Sequence, residues 1–234
     1  MGVLVAAAAR INFRLVLTSG WWYPGQILFI IPSNRLTFFG VILLLFSSRQ
    51  QRMNIFWLYW DDPEANAQAY CDRHVVKIIL EITQLLFTAW HVREGGVSAD
   101  IEQSVSNVYR KTHANHPLSV WVRENRQHYI IAAVQGLALC NEYTKRYEKE
   151  HACEHMIRVL LDHPFSENKE MDKGFRCPPQ CVTFDKYRIP SINPENDPSA
   201  LVTAYRNYYR EEKATQPWFK YSKIPERRPF FLLQ

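Results

Sequence analysis

From Met53 the chain opens on MNIFWLYW, an alternating, aromatic-rich run that predicts a short strand or an extended N-terminal segment. Asp61, Asp62, Pro63 and Glu64 then mark a helix start, with a capping carboxylate and a proline in the first turn. The helix is expected from about residue 63 to Gly95 and Gly96, with a bend near Asp72. Between Val75 and Val92 apolar residues cover most of its surface. His74, Lys77, Glu81, Gln84, Thr88 and His91 recur at spacings of 3, 4, 3, 4 and 3, a single polar stripe on a largely buried helix. Such a stripe faces either water or a pocket.

A second helix is expected from Ala99 to about Thr112, with Ile101, Val105, Val108 and Tyr109 as its apolar face. HANHP interrupts it, because His116 precedes Pro117 and is pushed toward extended geometry. Pro117 suits the first turn of a long third helix running to about Glu150. ACEHMIRVLLDHP predicts a short helix stopping before Pro164, and 165–198, rich in Pro, Asp, Asn and Lys, reads as a loop long enough to be functional. A last helix is expected from Ser199 to about Lys213. The fold class is therefore all-α: a bundle of about four to five helices with an extended N-terminal arm and a long Pro-rich loop.

Charge divides the 234 residues at position 52. The first 52 residues carry Arg10, Arg14, Arg35, Arg49 and Arg52 and no acid, whereas 53–234 balance 23 basic against 23 acidic side chains. The net charge of +5 thus belongs to the extension, and a polyanion partner has to be argued from local patches. The extension ends in an apolar run, Leu36 to Phe46, about half the length of a bilayer span, which is a membrane anchor or an upstream segment outside the functional protein. No stable membrane partner is expected unless residues 36–46 anchor the chain. The expected organisation is an extension, 1–52, and a single helical domain, 53–234. Five cysteines without framework spacing point to a reducing intracellular compartment, cytoplasm or nucleus.

Three constellations carry candidate chemistry. Cys71 and His74 form one half of a zinc site and His113 and His116 the other, unless Cys71 is packing. Cys177 and Cys181, in CPPQC, are spaced too widely for a CxxC pair and read as loop cysteines. Asp72, His74, Lys77, Glu81 and His91 lie on or beside the polar stripe, where apolar walls shift pKa values toward neutrality; a solvated face is the alternative. Finally, 204–231 interleaves Arg and Lys with Tyr, Trp and Phe, including Trp218, Lys220 and Tyr221. That pattern fits either a packed C-terminal arm or a platform for phosphates and unpaired bases.

The order of MNIFWLYW, AQAYCDRHVVKIILEITQLL, NHP at Asn115 to Pro117, EYTKRY and QPWFKY resembles the pyrimidine-dimer DNA glycosylase family of endonuclease V type. It is more closely similar to small proteins of phages and large DNA viruses that begin MNI and carry a C-x-x-H-V-V-K helix, a likeness that supplies no activity. The glycosylase resemblance implies a compact helical bundle, an N-terminal amine that forms a Schiff base with sugar C1′, and an assisting acid on the first helix. Carried over, Asn54 falls in the arm, Asp72 beside the position of the acid, and Arg73 and Lys77 at phosphate contacts.

The expected function is a DNA glycosylase or AP-lyase acting on damaged or modified pyrimidines, with DNA as partner and no cofactor. Asp72, His74, His116 and Glu81 are the catalytic candidates. Arg73, Lys77, Arg123, Arg126 and Lys220 are candidates for holding phosphates, and Trp121, Trp218 and Tyr221 for wedging or stacking against a base. The alternatives are a non-enzymatic nucleic-acid or protein-binding module with zinc at Cys71, His74, His113 and His116, or a metal-dependent hydrolase using the same histidines.

Overall fold

The computed structural model describes residues 53–168, 172–193 and 195–233; the expectations for 1–52 lie outside them. The architecture is all-α as expected, and no strand forms among the described residues. The helices are α1 (Pro63–Gln68), α2 (Asp72–Arg93), α3 (Ala99–Ser104), α4 (Pro117–Glu124), α5 (Arg126–Tyr147), α6 (Glu154–Asp162) and α7 (Pro198–Tyr208). A π-helical turn, Tyr209–Lys213, continues α7. The long helices α2 and α5 pack together as the centre of the bundle, with α1, α4 and α6 around them. Among the described residues α2 is the helix long and apolar enough to cross a bilayer, but here most of it is buried as the core helix.

Three expected helices are shorter than the pattern implies, each for an identifiable reason. The first is split at Ala69–Cys71, because the buried Tyr70 turns its hydroxyl onto the Phe56 backbone and Cys71 is extended at φ −67°, ψ 159°. The second ends at Ser104. Beyond it Val105 is extended, and the following backbone bonds to α2 side chains instead of to itself: His91 Nε2 meets the Tyr109 carbonyl at 2.9 Å, and Thr88 Oγ1 bonds both the amide and the carbonyl of Thr112 at 3.2 Å. The third breaks at Asn125, whose extended backbone lets its side chain cap α5 through the Gln127 amide at 2.7 Å. The last expected helix is α7 plus the π turn.

MNIFWL is extended without a partner strand, and all of Met53–Leu58 is buried. Its alternate amides bond to side chains instead of to a neighbouring strand. Asn54 N–H donates to Glu81 Oε2, Phe56 N–H to Tyr70 Oη and Leu58 N–H to Asn66 Oδ1. Buried amides must find acceptors, and here α1, α2 and the turn between them supply all three.

The Pro-rich loop is fastened by the bundle beneath it. Arg93 lies over the Phe165 ring at 4.2 Å and pairs with Asp172 at 2.7 Å, while Trp121 Nε1 donates to the Arg176 carbonyl. His128, stacked on Trp121, accepts the Arg176 amide on Nε2. Glu124 bonds both Arg176 and Lys173.

Candidate active site

The arm delivers its first residues to one carboxylate. Glu81 sits in the middle of α2 with 8% of its side chain exposed, receiving the Asn54 amide on Oε2 at 3.0 Å and Lys77 Nζ, one turn earlier on the same helix, on Oε1. The Lys77 side chain is 42% exposed, so an accessible amine rests on a buried acid. Burial pushes the Glu81 carboxyl above the ordinary glutamate range, and Lys77, the Asn54 amide and His113 pull the other way.

His113, at the corner between α3 and α4, acts electrostatically on Glu81, and His116 in turn neighbours His113. His113 is held in the left-handed region at φ 48°, its Nδ1 2.7 Å from Thr112 Oγ1. Such geometry is costly for a residue with a side chain. His116 caps α4: its Nδ1 accepts the Leu118 amide at 3.2 Å, which leaves the ring proton on Nε2. Burial and the neighbouring His113 lower the His116 pKa.

A cleft of about 790 Å³ opens beside the start of the arm, lined by Met53, His116, Arg176, Gln180, Thr183, Arg188 and the prolines of the loop. Its wall is therefore the segment that the sequence marks as a functional loop. Cys177 and Cys181 also line it, with thiols pushed up to about 11 by burial, so both are protonated near neutrality.

Asp72 is on the other side of α2 from Glu81 and is fully engaged. Its Oδ1 accepts Arg146 at 3.1 Å and its Oδ2 accepts the Ser222 amide and hydroxyl and the Lys223 amide, so it clamps the C-terminal arm to α5. Cys71 has no exposed surface and belongs to the core. His74 is enclosed by aromatic rings, Phe56 stacking on it at 4.6 Å, and its Nδ1 is 2.9 Å from the Tyr209 hydroxyl. Burial, together with nearby Lys213, Lys77 and Arg73, holds its pKa well below the ordinary histidine range.

The zinc alternative finds no assembled ligand set, since no group of three or more His, Cys, Asp or Glu side chains able to hold a metal occurs among the described residues. Trp121 and Tyr221 are core aromatics here, Trp121 without exposed surface and Tyr221 bonded to the Ala69 carbonyl at 2.6 Å; neither offers a free face to a base. Arg123 donates to the Ala114 carbonyl and steadies the histidine corner, and Arg126 pairs with Glu167 at 3.4 Å. Arg73, Lys220 and part of Trp218 remain at the surface, with Arg73 stacked 4.9 Å from the Trp218 ring centre.

Sequence reasoning did not single out Arg176 or Arg188, and it placed Lys213 only within the basic, aromatic stretch 204–231. The first two sit in a loop without periodicity, and Lys213 is turned by a π turn that helical spacing does not anticipate. No protein-family model, no curated protein and no solved structure matches the chain.

Proposed function

We propose that the protein is a DNA-acting enzyme that cleaves the N-glycosidic bond of a damaged or modified pyrimidine, followed by a lyase step on the abasic sugar. The observation that supports this reading is the Lys77–Glu81 pair, an accessible amine on a buried carboxylate whose other oxygen is fixed by the Asn54 amide. A carboxylate raised by burial is suited to take a proton from the neighbouring ammonium, leaving a free amine to attack sugar C1′ and expel the base. His116, carrying its ring proton on Nε2 at the cleft, is the donor to the departing base. The cleft volume lies within the range of about 300–1,000 Å³ common to small-ligand pockets, enough for an extruded nucleotide.

This reading moves the acid from Asp72, where the resemblance put it, to Glu81. It also moves the nucleophile, because the nitrogen of Asn54 is a peptide amide in this chain and an amide does not attack carbon.

Borohydride trapping on duplex DNA containing an abasic site tests the proposal. The full chain is expected to form a covalent adduct that Lys77→Ala abolishes and Glu81→Gln reduces by about 10²-fold in rate, the scale of lost acid–base catalysis. Protein that binds this DNA yet gives no adduct and releases no base would overturn it.

A further inference from the structure

His74 presents chemistry that the Lys77–Glu81 site does not use. Its ring is held by Phe56 on one side, by Tyr209 at 5.4 Å and by Trp218 at 5.2 Å between centroids. The Tyr209 hydroxyl already accepts the Cys71 amide at 2.8 Å, so its own proton is best used on His74 Nδ1, which puts the histidine proton on Nε2. That nitrogen has no hydrogen-bond partner among the described residues, and the residue keeps 5% of its surface exposed.

Two cations act electrostatically on the His74 ring. Arg73 lies over Trp218, and Lys213 Nζ lies 4.6 Å from the Tyr208 ring centre. Neither makes an ion pair among the described residues, whereas Lys77 is occupied by Glu81. One π turn supplies both the Tyr209 hydroxyl that orients the imidazole and the Lys213 ammonium near it, through the Ala214 amide bonding five residues back to Tyr209. π turns of this kind are frequent at functional sites.

The geometry points to an anion site at the mouth of this aromatic cage, where His74 Nε2–H, Arg73 and Lys213 hold a phosphoryl group beside Trp218. A neutral N–H donor with two unpaired cations near it suits a compact oxyanion, to which each contact is a charge-assisted hydrogen bond. Other ionisable groups nearby are Lys77 on α2, whose charge adds to the attraction, the Tyr70 and Tyr209 phenols and the Cys71 thiol, kept neutral by burial, and, next to Arg73, the Asp72 carboxylate, which is bonded to Arg146, Ser222 and Lys223. The site stands independently of the glycosylase reading, because it needs no chemistry at Lys77 or Glu81.

The test uses the full chain with ¹⁵N-labelled histidine, following the His74 ring nitrogens as inorganic phosphate, a 5′-phosphorylated oligonucleotide and the same oligonucleotide without that phosphate are added. A saturable Nε2 shift with phosphate is expected, about tenfold weaker in Arg73→Gln or Lys213→Gln, a loss in keeping with one charged hydrogen bond. Both side chains are at least partly exposed, so the variants are expected to fold, and circular dichroism checks that. Tighter binding of the phosphorylated strand identifies a terminal phosphate as ligand, and equal binding of the two strands identifies the internal diester. No saturable shift with any of the three, or unchanged affinity in the double variant, overturns the site. Repeating the titration on Glu81→Gln separates the two claims, since the His74 shift with phosphate is expected to persist there while adduct formation falls.

Discussion

Asn54 donates its backbone N–H to Glu81 Oε2 at 3.0 Å across 27 residues of sequence, tying the extended arm to the carboxylate on which Lys77 rests. Glu81 is thus an acceptor for a buried amide and the proposed acid–base group, and substitution separates the two.

Glu81→Gln keeps an acceptor for the Asn54 amide while removing the titrating group. A carboxyl whose folded pKa is raised contributes stability below its unfolded value, about 4.3, and loses that contribution as pH rises through the folded pKa. Urea denaturation at several pH values is therefore expected to show the parent losing stability relative to Glu81→Gln as pH climbs above that value. Parallel pH profiles for the two proteins would refute the raised carboxyl.

Asp72 is expected to matter for folding and not for chemistry. Its partner Arg146 has a fully buried side chain that also bonds Glu142 at 2.7 Å and donates to the Gln68 and Tyr70 carbonyls. Asp72→Asn leaves that guanidinium without one of its two carboxylate partners, and breaking such a pair costs about 3–5 kcal/mol. Denaturation should register this loss, while adduct formation per folded molecule at low temperature stays at the parent level. A catalytic Asp72 would give the reverse pattern.

Gly136 marks a close approach between helices of the bundle. A Cβ there would lie 3.0 Å from Ile82 Cγ2 and 3.1 Å from Ile157 Cδ1, both in side chains without exposed surface. Gly136→Ala gains helix propensity of about 1 kcal/mol but overpacks the α2, α5 and α6 junction, which costs about 1–3 kcal/mol. Net destabilisation is expected by thermal unfolding. Adding Ile157→Val, which removes the clashing Cδ1, should recover part of it in a double-mutant cycle.

The strain at His113 is open to a backbone test. Comparing His113→Gly with His113→Ala removes the side chain in both and isolates the φ of 48°. The glycine variant is expected to be the more stable by about 1 kcal/mol in urea, the opposite of the order in a helix interior. Both variants lose the contact with Thr112 and should slow base release, because His113 sits beside Glu81 and His116.

Much of the fold is legible in local chemistry. Asp62 caps α1 through the Ala65 amide, Asp197 caps α7 through the Ala200 amide, and each precedes a proline that the first helical turn accepts. The boundaries that sequence misplaces are those set from a distance. Thr88 and His91 lie on the polar stripe of α2, and nothing near Val105–Thr112 says that these side chains will hold that segment extended. The basic, aromatic tail is equally ambiguous in sequence. Its Tyr205, Tyr209 and Tyr221 became core, while Arg73 and Lys213 remain at its edge with Trp218.

The sequence by itself determined that Asp72 and Glu81 share one helix; the nine steps from one to the other, at about 100° each, turn them to opposite sides of it, so Asp72 does not share the polar stripe beside which the residue pattern set it. It likewise determined that His74 and Glu81, seven residues apart, fall on one stripe. Only the tertiary structure decided which side meets the arm, because helical periodicity fixes angles between residues on one helix and carries no information about what packs against each face. The arm docks on the Glu81 side through the Asn54 amide, and the C-terminal segment docks on the Asp72 side through Ser222 and Lys223. One carboxylate is thereby tied to the arm and to Lys77, and the other is consumed as a clamp.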